Sequence, residues 1–221
     1  MLLARVCGAC GSSGSFRGPG RGPLCAACAD QLVAAGPVPA PRQVDRLVAV
    51  LTFEGVGRDL VLGLKYRNRR GVVGPLAAAM AAAVGAGRPD VVTWAPTTRV
   101  RRQQRGFDQS ELLARAVARQ LDRPCRSLLQ RRPGPPQTGR DGLARAIGPD
   151  LRARQRVPGH VLVVDDVTTT GATLSAAATA LRERGAVVVD AVTAAATPLK
   201  VPPAAVDIVA TARPGRIIET E

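Results

Sequence analysis

The run of residues 161–173, VLVVDDVTTTGAT, constrains this chain more than any other feature. Four consecutive apolar residues, 161–164, predict a strand that is buried on both faces. Two adjacent carboxylates, Asp165 and Asp166, end this predicted strand, and a threonine-rich turn leads into a helix over residues 174–184. The run therefore predicts a strand, a polar turn and a helix, with its chemistry concentrated in the turn.

This turn offers the groups that a phosphorylated sugar requires. A turn before a helix N-terminus presents free N–H groups and the positive end of the helix dipole, which suit a phosphate. Two carboxylates can accept hydrogen bonds from a vicinal diol or face a hydrated Mg²⁺. We therefore interpret Asp165 and Asp166 as the catalytic candidates. The ligand-binding candidates of the turn are Thr168, Thr169, Thr170, Gly171, Ala172 and Thr173.

The alternative is an ordinary buried strand–helix unit with a polar turn. Adjacent carboxylates at the end of a core strand are costly to desolvate without a partner, which disfavours this alternative. The run resembles the signature of the type I phosphoribosyltransferases: a hydrophobic strand, two acidic residues, a hydrophobic residue and a Thr-Thr-Gly-x-Thr-like loop. The resemblance implies a ligand that is phosphoribosyl pyrophosphate, or another ribose phosphate, with Mg²⁺.

Four cysteines form two CxxC pairs near the N-terminus: Cys7 with Cys10, and Cys25 with Cys28. Each CxxC turn delivers two thiolates to one point, and Zn²⁺ takes four tetrahedral ligands. The segment between the pairs is rich in glycine and has almost no core of its own. We expect a structural zinc site, with two disulfides as the alternative that a cytoplasmic location disfavours.

Hydropathy and charge limit the cellular location and the binding partners that we expect for this chain. The longest apolar runs fall short of the ~18 residues that a membrane span needs, and the first residues are too few for a secretory signal, so we expect a cytoplasmic protein. The net charge is +14. Residues 99–160 contain 15 arginines against 5 acidic residues. Such an excess attracts phosphorylated small molecules, nucleic acid or acidic membrane surfaces.

The order of elements predicts an α/β fold. A proline-rich link, residues 36–41, separates a zinc module over residues 1–36 from a main domain over residues 44–221. Strands are predicted over residues 47–53, 91–95, 161–164 and 187–194, with a short edge strand at Ile208 and Val209. Helices are predicted over residues 56–66, 75–84, 109–121 and 174–184. This alternation predicts a doubly wound, mainly parallel sheet whose ligands bind beyond the carboxyl ends of its strands.

A second cluster of polar residues follows the strand over residues 91–95. We expect a basic loop in which Arg99, Arg102 and Arg105 face an anion, and then a helix that Asp108 caps. A solvated basic loop without a ligand is the alternative. Residues 126–156 are basic and rich in proline and glycine, and a short helix is predicted over residues 140–146. They predict either a mobile loop that closes over the site or a disordered linker.

Several segments together resemble the ComF-like proteins of DNA uptake and their relative GntX. The segments are Arg105-Gly106-Phe107-Asp108-Gln109, Leu113-Ala114, Leu64-Lys65-Tyr66, Gln137-Thr138 and the four cysteines. The resemblance implies a zinc module followed by a domain of the type I phosphoribosyltransferase kind. Two segments depart from the family pattern: Trp94-Ala95-Pro96 stands where Pro-Val-Pro is usual, and Arg145-Ala146-Ile147-Gly148 replaces Arg-x-x-Asn.

Three functional hypotheses follow. The first is a ComF-like protein that binds a ribose phosphate in the service of DNA uptake, together with single-stranded DNA and the uptake machinery. The second is a non-catalytic single-stranded DNA-binding protein on the same fold, which the basic stretch favours and the scarcity of aromatic residues opposes. The third is an active nucleobase phosphoribosyltransferase of nucleotide salvage, for which the sequence shows no general base and no acceptor pocket.

Overall fold

The computed structural model describes residues 6–13, 24–132, 148–157 and 159–198. The strands are β1 (Arg46–Thr52), β2 (Val91–Trp94), β3 (Leu129–Arg131), β4 (Leu151–Ala153), β5 (His160–Thr168) and β6 (Val188–Ala196). The helices are α1 (Ala26–Asp30), α2 (Gly55–Tyr66), α3 (Val73–Val84), α4 (Arg99–Arg105), α5 (Gln109–Gln120) and α6 (Ala172–Arg182). Apart from β5, the predicted elements that these residues cover agree with the observed ones to within two residues.

The main sheet has four parallel strands in the order β1-β6-β5-β2. In register, Val164 of β5 lies beside Trp94 of β2 and Val192 of β6. All four strands point the same way, so their carboxyl ends form one edge of the sheet. The predicted mainly parallel α/β fold is confirmed.

Side chains of β5 alternate between two apolar layers. Leu162 and Val164 face the layer formed by α2, α3 and α5. Val161 and Val163 face the opposite layer, formed by α6 and the two-stranded ribbon of β3 and β4. Both faces of the central strand are therefore covered, which explains its unbroken run of apolar residues.

Two local predictions are wrong. The stretch before Asp108 is the helix α4 rather than a loop, because the Thr98 hydroxyl accepts a hydrogen bond from the Arg101 N–H (3.2 Å) and Gly106 ends the helix at φ +74°. Strand β5 also continues past the carboxylates, because β6 runs alongside it until Thr168 lies opposite Ala196. Asp165 and Asp166 are therefore strand residues.

The predicted mobile loop over residues 126–156 contains regular structure at its base. Leu129 of β3 lies opposite Ala153 of β4 in an antiparallel ribbon that packs beside α6. Residues 133–147, with the predicted helix over residues 140–146 and the Gln137-Thr138 segment, lie outside the described residues. The predicted edge strand at Ile208 and Val209 also lies outside them.

Candidate functional site

The two carboxylates stand near the carboxyl edge of the sheet, on the central strand β5. The Oδ1 atom of Asp165 accepts hydrogen bonds from the Ser110 hydroxyl and from the backbone N–H of Asp166, both at 2.8 Å. Burial, followed by the adjacent charge of Asp166, raises the pKa of Asp165 to about 7. Near neutral pH this carboxyl group can therefore act as a proton donor or as an anion.

The two carboxylate oxygens of Asp166 differ in their partners. The Lys65 ammonium at the end of α2 lies 2.9 Å from Asp166 Oδ1, and the two side chains are only 17% and 6% exposed. Asp166 Oδ2 is buried and has no hydrogen-bond partner among the described residues. An unpaired buried carboxylate oxygen is costly, so this atom is a natural acceptor for a ligand hydroxyl or for water on a divalent cation.

The turn after β5 leads directly into the N-terminus of α6, where the Ala172 N–H donates to the Thr170 hydroxyl (3.4 Å). Gly171 adopts the left-handed conformation (φ +73°, ψ 0°), and a Cβ atom there would lie 2.6 Å from Cβ of Pro41. Helix α6 begins at the next residue and has no acidic residue in its first turn. Its first N–H groups lack intrahelical acceptors, so they can bind an anion. Thr169 and Thr170 of the turn are exposed.

Asp108 fixes the second loop of the site. One of its oxygens accepts a hydrogen bond from the Ser110 N–H (3.0 Å) and caps α5, as predicted. Its other oxygen accepts from the Thr97 N–H (2.9 Å), which ties the loop after β2 to the same helix. Burial raises the pKa of Asp108, although these N–H donors oppose the shift.

The three predicted arginines of α4 do not converge on one point. Arg99 is exposed at the first residue of the helix. Arg102 lies 3.4 Å from Glu111, whereas Arg105 donates to the Gln109 side chain at 2.9 Å. Instead, Arg105 and Arg101 line a pocket of about 330 Å³ together with Lys65 and Tyr66.

Sequence reasoning missed Lys65, Arg101 and Ser110 as site residues. A signal existed for Lys65, since it is one of only two lysines in an arginine-rich chain. No sequence pattern indicates Ser110, whose role depends on α5 packing beside β5. The single histidine, His160, begins β5 at the opposite end of the strand and pairs with Asp190 (3.1 Å).

The four cysteines come together as predicted. The sulfur atoms of Cys7, Cys10, Cys25 and Cys28 all lie within 4.8 Å of one another, and no disulfide joins them. Zn–S bonds of about 2.3 Å in a tetrahedron separate the sulfurs by roughly 3.8 Å, close to the 3.9 Å between Cys10 and Cys25. This cluster can hold a metal ion.

The pKa values of these thiols show why a metal suits the cluster. Burial raises the pKa of Cys7, but N–H donors at Cys25, Cys10 and Ala9 outweigh it and lower the pKa to about 6. Burial and the neighbouring thiols raise the pKa of Cys28 to about 12. The four groups are not thiolates together near neutral pH unless a bound cation stabilises them.

The cysteine segment packs directly on α2. A Cβ atom at Gly63 would lie 2.4 Å from the carbonyl oxygen of Gly8, so only glycine permits this approach. The Arg69 guanidinium donates hydrogen bonds to the carbonyl groups of Gly8 (3.2 Å) and Ala9. The segment thus docks on the same short stretch that carries Lys65.

Comparison with known proteins agrees with this geometry. The family model described as "Phosphoribosyl transferase domain" matches residues 108–210. The chain is 27% identical over 143 residues to the competence protein ComFC of Bacillus subtilis (strain 168), a match that covers 62% of this chain and 58% of that protein.

Two solved structures show a distant likeness. A glutamine phosphoribosylpyrophosphate amidotransferase from B. subtilis is 22% identical, with a TM-score of 0.40, and the match covers 64% of this chain and 28% of that one. A purine phosphoribosyltransferase from Pyrococcus horikoshii is 17% identical, with a TM-score of 0.37, and the match covers 57% and 83% of the two chains.

The parallel sheet and the strand–turn–helix unit form an α/β fold, and residues 108–210 match the phosphoribosyl transferase domain model. The similarity to ComFC agrees with the ComF-like resemblance that the cysteine pairs and the Arg-Gly-Phe-Asp-Gln segment predicted. The match to ComFC spans little more than half the length of that relative. No helix in the described part of the chain combines the length and apolar character of a membrane span.

Proposed function

We propose that this ComF-like protein binds phosphoribosyl pyrophosphate, or a related ribose 5-phosphate, and serves the uptake of DNA. One observation carries the proposal: the open N-terminus of α6 adjoins two carboxylates, one of which has a buried oxygen without a partner. A phosphate and a vicinal diol, held a sugar ring apart, match these two groups. The relative ComFC, named a competence protein, supports the cellular role.

Each group has a role in this proposal. Asp165 and Asp166 hold the ribose hydroxyls, and a Mg²⁺ bound with the ligand supplies charge neutralisation through its water shell. The turn over residues 168–173 holds the 5-phosphate. Arg99 and Arg102 of α4 are the candidates for neutralising the leaving pyrophosphate, and the exposed Arg99 is free to turn toward it, whereas Arg105 already bonds to Gln109. The four cysteines hold a structural Zn²⁺.

If the domain is catalytic, a nitrogen nucleophile attacks C1 of the ribose. The bond from nitrogen to C1 forms, the bond from C1 to the pyrophosphate oxygen breaks, and pyrophosphate leaves with the electron pair. The pair of His160 and Asp190 stands at the far end of β5, so it does not serve as the base. An acceptor whose attacking nitrogen carries no proton, or loses it to water, fits this arrangement.

The single-stranded DNA-binding hypothesis remains a second candidate. Its support is the exposure of the arginines along α4 and β3, including Arg99, Arg101, Arg102 and Arg131. Arg131 interacts with the charges of both Arg101 and Asp165, so the basic surface adjoins the carboxylates. Such a surface binds phosphate backbones without sequence preference.

Calorimetry separates these candidates. The parent protein and the double variant Asp165→Asn/Asp166→Asn are titrated with phosphoribosyl pyrophosphate and Mg²⁺, and then with a single-stranded oligonucleotide. We expect the parent to bind the sugar phosphate and the double variant to lose it, since each lost charge-assisted hydrogen bond costs about 1.5–3 kcal/mol. A parent that binds only the oligonucleotide contradicts the proposal and supports the second candidate. A scan of nucleobases for pyrophosphate release then tests catalysis.

A further inference from the structure

A pocket of about 330 Å³ lies between the end of α2 and the helix α4. Its lining includes Lys65, Tyr66, Asn68, Arg101, Gln104 and Arg105, and Phe107 closes one side. A larger cavity, about 460 Å³, lies along the outer side of α6 and contains neither carboxylate of the site. The smaller pocket is the one that adjoins the chemistry, because Lys65 lines it and contacts Asp166 at 2.9 Å.

Hydrogen-bond donors dominate the polar lining. Three cationic side chains, Lys65, Arg101 and Arg105, and two amides, Asn68 and Gln104, surround the space, and no carboxylate lines it. Cations and amides gathered around one small volume suit an occupant that carries negative charge and carbonyl oxygens. A protonated amine has no counter-ion among these lining residues.

The pocket also has aromatic surfaces. The Arg105 guanidinium lies over the Tyr66 ring, 4.7 Å from its centroid, and the Tyr66 residue is nevertheless 67% exposed. Arg70 covers the Phe107 ring at 4.4 Å. A planar molecule can therefore stack on Tyr66 or on the flat guanidinium above it, which is a way of binding that inorganic pyrophosphate does not need.

From this geometry we propose that the pocket binds the acceptor, and that the acceptor is a planar heterocycle bearing a carboxylate. The proposal rests on the proposed function, since Lys65 joins the pocket to the carboxylates assigned to the ribose. It also explains how the site could act although the single histidine, His160, lies at the far end of β5. The attacking ring nitrogen carries no proton, or loses an acidic proton to water, and it then forms the bond to C1. The carboxylate of the ring binds Arg101 and Arg105.

The single tyrosine of the chain allows a direct test. Protein that contains 3-fluorotyrosine gives one ¹⁹F resonance, which reports on this pocket alone. Calorimetry first measures phosphoribosyl pyrophosphate binding with Mg²⁺. The loaded protein is then titrated with orotate, nicotinate and quinolinate as planar carboxylates, with adenine and uracil as neutral bases, and with pyrophosphate.

We expect at least one planar carboxylate to shift the Tyr66 resonance with saturation. Arg101→Gln and Arg105→Gln should each weaken that binding at least tenfold. The control Arg58→Gln changes an exposed arginine on α2 that does not line the pocket, and it should leave the affinity unchanged.

Four results overturn the inference. Shifts with neutral bases only would make the ligand class wrong, and a shift with pyrophosphate only would make the pocket an anion subsite. If the protein binds phosphoribosyl pyrophosphate but no probe shifts the resonance, the pocket is not the acceptor site. The proposed function would still stand. Absence of phosphoribosyl pyrophosphate binding in the first step would overturn both proposals.

Discussion

The substitution Asp165→Asn should make the protein more stable above neutral pH. Folding raises the pKa of Asp165 from its ordinary value of 3.8 to about 7, chiefly through burial and then through the charge of Asp166. For a carboxyl group shifted in this direction, its contribution to stability is fully present below the unfolded pKa. That contribution is lost as pH rises through the folded pKa. The ionised carboxylate is thus the destabilising form.

The size of the effect follows from the shift. A rise of ~3 pKa units corresponds to ~4 kcal/mol at about 1.36 kcal/mol per unit. Asp165 is only half-buried, so solvent screening reduces this figure and we expect a gain of about 2 kcal/mol at pH 8.5. Asparagine keeps an oxygen that can accept the hydrogen bonds from Ser110 and from the N–H of Asp166, so these contacts should survive.

The assay is urea unfolding of parent and variant at several pH values between 4 and 8.5, without Mg²⁺. The difference in unfolding free energy should be near zero at pH 4, grow between pH 4 and about 7, and level off above the folded pKa. The matched control is Asp122→Asn, an exposed turn position whose left-handed backbone (φ +54°) suits asparagine. Parent and Asp165→Asn curves that stay parallel across this range would refute the electrostatic argument.

Three further predictions concern the metal, the turn and the basic surface. Protein purified under reducing conditions without chelator should contain one zinc ion per chain by elemental analysis, and Cys25→Ser should lose it. The buried Cys7 and Cys28 share an apolar cluster with α2, so loss of the zinc ion should also lower the temperature of the main unfolding transition. An unchanged temperature would show that the cysteine segment and the main domain unfold independently. Gly171→Val should abolish binding of phosphoribosyl pyrophosphate in calorimetry, since a side chain meets Pro41 at a left-handed position, and Gly85→Ala, at another helix end of positive φ with open space around it, is the control that should bind normally. If single-stranded DNA binds, Arg132→Gln should reduce the slope of log affinity against log salt by ~1, and an affinity independent of salt would assign the basic surface to small ligands.

Local sequence signals predicted most of the architecture correctly. The apolar run of β5 indicated a strand with two buried faces, and Asp108 indicated the start of α5. The CxxC spacing brought four sulfurs to one point. These signals work because strand burial, helix capping and paired cysteine turns depend on residues a few positions apart.

Prediction failed where a partner distant in sequence decides the outcome. The end of β5 depends on how far β6 runs beside it, so Thr168 is a strand residue because Ala196 lies opposite. The stretch after Thr98 reads as a basic loop in composition, yet one hydroxyl cap and the left-handed Gly106 make it a helix. Neither cap stands out among so many arginines.

The sequence by itself determined the class of fold and the strand–turn–helix unit, because buried strands and the turns that follow them have compact, contiguous patterns. Only the tertiary structure decided which charges meet. Lys65 neutralises Asp166 although the two lie 101 positions apart, and Ser110 reaches Asp165 across 55 positions. The backbone carbonyl of Gly8 likewise packs against Gly63, a residue distant from it in sequence. Such contacts require packed layers of helix and sheet, and packing is a property of the whole fold rather than of any one segment.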